Sequence, residues 1–437
     1  MIRTVHDNTY HFTSVFNDVT GQYIRGIDVQ DDPFMAEYPH LIDVGVMGGC
    51  VHGRTGLCMK AGIKCYQNGL SQYEPNMTLE NYKKIIDESK GRLFEIALGG
   101  RGDPDMHENF EEILDYSREN GVIPNFTTSG LGMTPEKAAI CKRYCGAVAV
   151  SQYSRLTMDG GRIAAKERDS VGAPYTSVDE IPIKFSFANV FEPKKYGTTY
   201  TIDGVPYEKV SEWDINEYMA SGKYDMIRVF NEAQAPNYTL KAIKMLMDAG
   251  VKTNIHYVLS NSTIDEALLR VKYNGFPKGI NAVVFLLHKP VGLGDQSDVL
   301  SVSDSKVKEF FELVDTGKFP FKIGFDSCSI PGILKWSTHI DPVSIDTCEG
   351  SRFSMYISSD MKALPCSFDN QDNKFMVQLD ENTSIKDAWD SETFEKFRSS
   401  LRNSCPNCKN RALCMGGCPL RNEIVLCNSS NREFKQT

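Results

Sequence analysis

The 437-residue sequence has no apolar run near the ~18 residues that a membrane-spanning helix needs. It also lacks an excess of positive charge. Lys and Arg total 48 against 57 Asp and Glu, a formal charge of −9, which speaks against a protein that grips nucleic-acid phosphates. The first ten residues, Met1–Tyr10, are polar and carry no signal-peptide core. There is no internal repeat and no low-complexity segment. These absences predict a cytoplasmic protein with neither membrane nor nucleic acid as a partner. In that reducing compartment its cysteines are not expected to pair as structural disulfides. At about 150 residues per domain, the length suggests two or three domains.

What the sequence does have is thirteen cysteines, unevenly placed. Cys50, Cys58 and Cys65 come early, Cys141 and Cys145 form a pair, and between Cys145 and Cys328 there is none. Cys328, Cys348 and Cys366 follow, and Cys405, Cys408, Cys414, Cys418 and Cys427 crowd the C-terminus. The C-terminal spacing C-x2-C-x5-C-x3-C suits thiolates converging from turns on zinc or on an iron–sulfur cluster. The early triplet leaves two readings. Three thiolates would leave one iron of a four-iron cluster open to a ligand, whereas adding His52 would close a zinc site. Cys141 and Cys145, four apart on one helix, read as small packing residues.

Strand-like and helical patterns alternate from residue 41 to 326. Leu41–Met47, Leu93–Leu98, Val122–Thr127, Ala147–Val150, Val251–Leu259, Ala282–Leu287 and Phe321–Phe325 read as strands. Thr78 and Thr134-Pro135 read as helix starts. Such βαβα alternation predicts an α/β class with a parallel sheet, either a barrel or a doubly wound sheet. Residues 152–236 break the rhythm and read as an insertion, with strand-like Ile181–Phe187 and Asp225–Phe230 and a hairpin around Asp203-Gly204. Another hairpin is expected around Thr20-Gly21 in the first 40 residues. The triplet of cysteines follows the first strand of the α/β unit, and the second strand ends in Gly99-Gly100-Arg101-Gly102-Asp103-Pro104. Ligands gather at such strand ends.

This order resembles the radical S-adenosylmethionine (radical SAM) enzymes, in which a cysteine triplet follows the first strand and a glycine–acid turn the second. Gly100 to His107 is similar to that family's G-x-G-E-P segment, with Asp103 where Glu is usual. The C-terminal cysteines resemble the SPASM extension, as do Cys348-Glu-Gly-Ser-Arg-Phe-Ser-Met-Tyr356-Ile357, Pro365-Cys366, and Ile385, Trp389, Phe394 and Phe397. Two departures stand out: the triplet is C-x7-C-x6-C rather than C-x3-C-x2-C, and Met361 stands where SPASM usually has Gly. The wider triplet makes His52 the rival of Cys58 as a ligand.

The resemblance implies a partial (β/α)6 barrel of the TIM type at 41–320, after an N-terminal extension at 1–40. A loop-rich auxiliary-cluster domain would follow at 321–437. It implies three [4Fe–4S] clusters and SAM as cofactors. Cys50, Cys58 and Cys65 would hold the first cluster, Cys328, Cys348, Cys366 and Cys418 the second, and Cys405, Cys408, Cys414 and Cys427 the third. SAM would meet Tyr66, Gly99, Gly100, Gly102, Asp103, Ser151 and Arg228. The implied activity is crosslinking, by a Cys thioether, of a ribosomally made, Cys-containing precursor peptide, with flavodoxin or ferredoxin as one-electron donor. The inserted 152–236 region is the expected place to hold that peptide. The competing readings are a SPASM peptide epimerase or dehydrogenase, a sulfatase-type maturase, and a zinc-binding, non-catalytic interaction protein. Ser367, where the sulfatase-maturing branch has an acid, counts against that branch.

Overall fold

A computed structural model describes residues 2–26, 33–56, 64–70, 74–152, 238–272 and 274–427, with five strands between 162 and 229. An antiparallel three-stranded sheet comes first: β1 (Ile2–Asp7), β2 (Phe12–Asn17) and β3 (Gln22–Ile24). The expected hairpin at Thr20-Gly21 joins β2 to β3, with Asn17 opposite Gln22. The parallel unit then runs through β4 (Leu41–Val44), β5 (Glu95–Leu98), β6 (Ile123–Thr128) and β7 (Val148–Ser151). In the inserted region, β8 (Arg162–Glu167), β9 (Phe185–Ser186), β10 (Thr199–Ile202), β11 (Val205–Glu208) and β12 (Tyr224–Val229) form a separate sheet in the order β10-β11-β9-β8-β12. Ile202 pairs with Val205 across the expected hairpin, whose Asp203 and Gly204 lie outside the described residues.

The parallel unit resumes with β13 (Thr253–Leu259), β14 (Ala282–Leu287) and β15 (Lys322–Phe325). The C-terminal part adds β16 (Ser354–Ile357), β17 (Lys362–Leu364) and β18 (Val377–Gln378). The main sheet has ten strands in the order β15-β14-β13-β7-β6-β5-β4-β16-β17-β18, parallel from β15 to β16 and antiparallel beyond. It is the expected α/β barrel, left open, with one extension: β16 pairs in parallel with β4 and continues the barrel sheet into the C-terminal cysteine region. The sheet also crosses the expected boundary at 320, because β15 pairs with β14.

Alternation within each strand sorts the two faces of the sheet. Ile42 and Val44 are fully buried, as are Ile255 and Leu259. Their neighbours Asp43, Asn254 and His256 belong to the other face, which lines the lumen. Crossover helices cover the outer face, and their starts are capped as the sequence predicts. Thr78 accepts from Asn81 N at 3.1 Å ahead of the helix Leu79–Glu88. Thr134 accepts from Lys137 N at 3.3 Å ahead of Pro135–Tyr144. The N-terminal sheet closes the foot of the lumen. Arg3 donates to Leu93 O at 3.0 Å, Phe16 packs 5.4 Å from Phe94, and Lys252 reaches Val19 O. A cavity of about 320 Å³ remains there, lined in part by Phe16, Glu95, Asn125 and His256.

The C-terminal part is held by buried aromatics. Trp389, Phe394 and Phe397 are inaccessible to solvent, and Trp389 Nε1 donates to Ala36 O at 2.9 Å. Met361, at the turn between β16 and β17, has φ of 62°. That left-handed backbone explains why glycine is the usual residue there.

Candidate active site

Cys50 leaves the end of β4 as the N-cap of the short helix Val51–Thr55, where its sulfur accepts from Gly53 N at 3.3 Å. Cys65 returns close by. A Cβ placed on Gly69 would lie 3.6 Å from the Cys50 sulfur and 3.9 Å from the Cys65 sulfur, so the two thiols face a common space beside this glycine. Burial pushes the Cys50 thiol up, and the neighbouring Cys65 adds to this while the Gly53 N–H opposes it. Cys58 lies outside the described residues.

Arg101, in the glycine–acid turn, ties down both arms of the cysteine loop. Its buried guanidinium donates to Gly48 O at 3.1 Å and to Gln67 O at 3.4 Å. No sequence signal marks this role, because both acceptors are backbone carbonyls. Gly100 and Gly102 have φ of 85° and 69°, and a Cβ on Gly102 would meet Gly49 O at 2.5 Å. The turn therefore packs directly on the residues before Cys50. Gly99 N donates to Val44 O at 3.0 Å, which holds the start of the turn to the end of β4. From the C-terminal part, the Tyr356 hydroxyl reaches between Gly45 and Gly100.

Asp103 is buried and already engaged. It accepts from Ser129 N at 2.9 Å and from the Ser129 hydroxyl, and His52 Nε2 stands 3.3 Å away. His52 Nε2 is also 2.6 Å from Ser129 Oγ, and the Tyr238 hydroxyl lies 3.4 Å from Nδ1. Both ring nitrogens of His52 thus have polar neighbours within the chain. This is not a nucleophile triad, since the acid and the serine meet the same ring nitrogen. Behind them, Asp105 accepts from Thr128 Oγ1 at 2.8 Å while its other carboxylate oxygen has no hydrogen-bond partner among the described residues. Burial, with Asp103 nearby, pushes Asp105 up to about 6.

The lumen carries further polar groups that the spacing of motifs did not single out. Burial pushes Asp43 up to about 7 and His256 down to about 4. Ser151 ends β7 in register with His256. Arg228 falls on β12, but its side chain is outside the described residues. Tyr66 is next to Cys65, and its ring lies 4.6 Å from that of Phe368. Gln67 Nε2 donates to Ser367 O at 3.2 Å, and Asn370 Nδ2 to Gln67 Oε1 at 3.0 Å. The segment after Cys65 is thereby docked on the segment after Cys366.

Four of the later cysteines lie near one another. Cys328 and Cys418 are in side-chain contact, and Cys348 and Cys366 lie in electrostatic reach of Cys328. Cys418 contact and burial raise the Cys328 thiol, while burial pushes Cys348 up to about 12 and Cys366 higher still. Any metal core held here would have to offset the cost of ionising these buried thiols. Among the described residues, no three His, Cys, Asp or Glu side chains are gathered around a single-ion position. Lys289, after β14, is buried beside this group and ion-paired with Asp326. Burial works against its charge, but Asp326 and Cys328 hold its ammonium protonated well above the usual lysine range.

Cys405, Cys408 and Cys414 sit on successive turns. Cys408 N donates to Cys405 O at 3.0 Å, and Cys414 ends the helix Arg411–Cys414. Three left-handed residues, Met415, Gly416 and Gly417, then lead to Cys418. Cys427 packs against Ile424, Val425 and Cys418. Cys141 and Cys145 hydrogen-bond to each other on the barrel's outer helix, away from these groups.

Residues 348–410 match the SPASM family, an iron–sulfur cluster-binding domain. The mycofactocin maturase MftC of Mycolicibacterium smegmatis is 29% identical over 120 residues, which is 27% of this chain and 28% of that protein. The MftC of Mycobacterium tuberculosis is 31% identical over 85 residues, 19% of this chain and 22% of that one. The chain thus spans less than a third of the length of these curated relatives. Streptococcus suis SuiB bound to S-adenosylmethionine shares the fold, with a TM-score of 0.55 and 12% identity over 90% of this chain and 78% of that one. SuiB bound to its precursor peptide SuiA gives 0.54 and 13%, over 90% and 77%. Among the described residues, no helix is long and apolar enough to cross a membrane.

Proposed function

We propose that this chain, with a radical SAM barrel fold and a SPASM segment, is a cytoplasmic maturase that crosslinks a Cys-containing precursor peptide. The convergence of Cys50 and Cys65 at the ends of parallel strands, beside the Gly99–Asp103 turn, carries this reading. Cys50, Cys58 and Cys65 would hold a [4Fe–4S] cluster. Cys328, Cys348, Cys366 and Cys418 would hold a second, and Cys405, Cys408, Cys414 and Cys427 a third. When bound, the first cluster and SAM supply a 5′-deoxyadenosyl radical. The domain reading assigns 41–320 to the radical chemistry and the part after 320 to the auxiliary clusters.

The chain's own residues do the positioning. Arg101 ties both arms of the cysteine loop, and the His52–Asp103–Ser129 hydrogen bonds would hold the glycine–acid turn in place beside SAM. Tyr66 and Ser151 would flank SAM, with Arg228 a further contact. The N-terminal sheet packs against the lower end of the lumen, which would limit the access of bulk water from that side. A peptide substrate is supported by the shared fold with SuiB, which binds a precursor peptide, and by the local likeness to MftC. Flavodoxin or ferredoxin would supply the electron.

The test is anaerobic reconstitution, followed by incubation with SAM and a Cys-containing peptide encoded beside the gene. About twelve irons per chain, release of 5′-deoxyadenosine and loss of two hydrogens with a blocked thiol are expected. Solvent deuterium uptake without other mass change would move the assignment to epimerisation. Zinc without sulfide would overturn it.

A further inference from the structure

We propose that Lys289 sets the reduction potential of the auxiliary cluster held by Cys328, Cys348, Cys366 and Cys418. The inference rests on the cluster reading above and concerns a residue outside every cysteine motif. Lys289 stands in the loop after β14, with its side chain 2% exposed. Its charge acts on Cys328 and Cys418 and on Cys366, three sulfurs from three separate segments. Its Nζ also lies 4.5 Å from the centroid of the Phe368 ring, two residues beyond Cys366.

Asp326 holds the ammonium in this place. One carboxylate oxygen takes the Lys289 ion pair and accepts from Leu287 N at 3.1 Å, and the other accepts from Ser329 Oγ at 2.7 Å. Asp326 therefore cannot swing away and carry Lys289 with it. A four-iron cluster on four thiolates is an anion, and one-electron reduction makes it more so. A fixed, desolvated cation stabilises the reduced form more than the oxidised form, which raises the potential. The carboxylate of Asp326 acts in the opposite sense.

An ion pair that only joined the β14 loop to the end of β15 would affect stability and leave the potential alone. The two charges make these roles separable. The experiment is a redox titration of the reconstituted full chain, followed by electron paramagnetic resonance. The auxiliary signal is identified by its absence in Cys348→Ala. Lys289→Gln should shift that signal's midpoint to more negative potential, Asp326→Asn should shift it to more positive potential, and Lys289→Arg should restore it. The other signals should stay in place. Equal midpoints in wild type and Lys289→Gln, or shifts of the same sign in Lys289→Gln and Asp326→Asn, overturn the proposal. If Lys289→Gln loses its iron, an unshifted Asp326→Asn overturns it. A wild-type chain with no cluster dependent on Cys348 overturns the functional reading as well, and iron analysis tells that failure apart.

Discussion

Cys50 and Cys65 are held by a few hydrogen bonds to one loop, some from distant segments, whereas Cys328, Cys348, Cys366 and Cys418 are held by the packing of the whole C-terminal part. The first pair stands on one loop, pinned by Arg101 to two backbone carbonyls, with Gly69 beside both sulfurs. The second group arrives on four segments, gathered beneath β16–β17 and the helices around Trp389, Phe394 and Phe397. A site held by few contacts fails when one of them is lost, while a packed site fails when its core does. The two should therefore be separable by mutation.

The largest expected effect is chemical. Cys65→Ala should abolish 5′-deoxyadenosine formation and remove about four irons per chain, while Cys366→Ala removes a similar number and leaves SAM cleavage intact. Chromatography of the nucleoside alongside iron analysis checks both, and loss of SAM cleavage in Cys366→Ala would break the separation. Next in size is Trp389→Ala, which empties a fully buried indole site and frees Ala36 O. It should cost about 3–5 kcal/mol, read as a lower guanidinium midpoint. Arg101→Met removes a charged donor from Gly48 O and Gln67 O, so about 1.5–3 kcal/mol should be lost. Here the iron of the first cluster should be lost before that of the other two, and simultaneous loss of all three would contradict the separation.

The smallest effect sharpens the contrast through pH. Asp43 is raised to about 7 in the folded chain, by burial, from an ordinary value of 3.8. Between those values the folded state binds more protons than the unfolded state, so this group's contribution to stability falls as pH rises through the window. Asp43→Asn should therefore stabilise the apoprotein more at pH 8 than at pH 5 in denaturant melts. Equal gains at both would mean that the lumen is as wet as bulk solvent.

Much of the barrel was legible in the sequence because its signals are local. Thr78 and Thr134 are capping residues next to the helices they start, and Ile42 and Val44 alternate with Leu41 and Asp43 within four positions. β16 to β18 were harder to read. They are two to four residues long, too short for a period to register, and β16 pairs with a strand more than 300 positions earlier. Shorter separations, 26 to 77 positions, were still enough to hide the His52–Asp103–Ser129 cluster and the Lys289–Asp326 pair. In the inserted region, Phe185 and Ser186 of the expected strand Ile181–Phe187 are in a strand, and its other residues lie outside the described residues. Glycine spacing revealed the turn at Gly100–Gly102, but not what fills the space those glycines leave, which is Gly49 and a tyrosine from the far end of the chain.

The pairing of β16 with β4 has a consequence for the chain as a material. An open barrel ends in a strand whose N–H and C=O groups would pair with any passing strand. Here β16 saturates that edge at β4, and the short, turned-back β17 and β18 offer little length for further growth. A chain cut before residue 348 would thus lose more than cysteines: it would present a bare sheet edge and assemble with its own copies. The C-terminal part is the cover over the edge at β4.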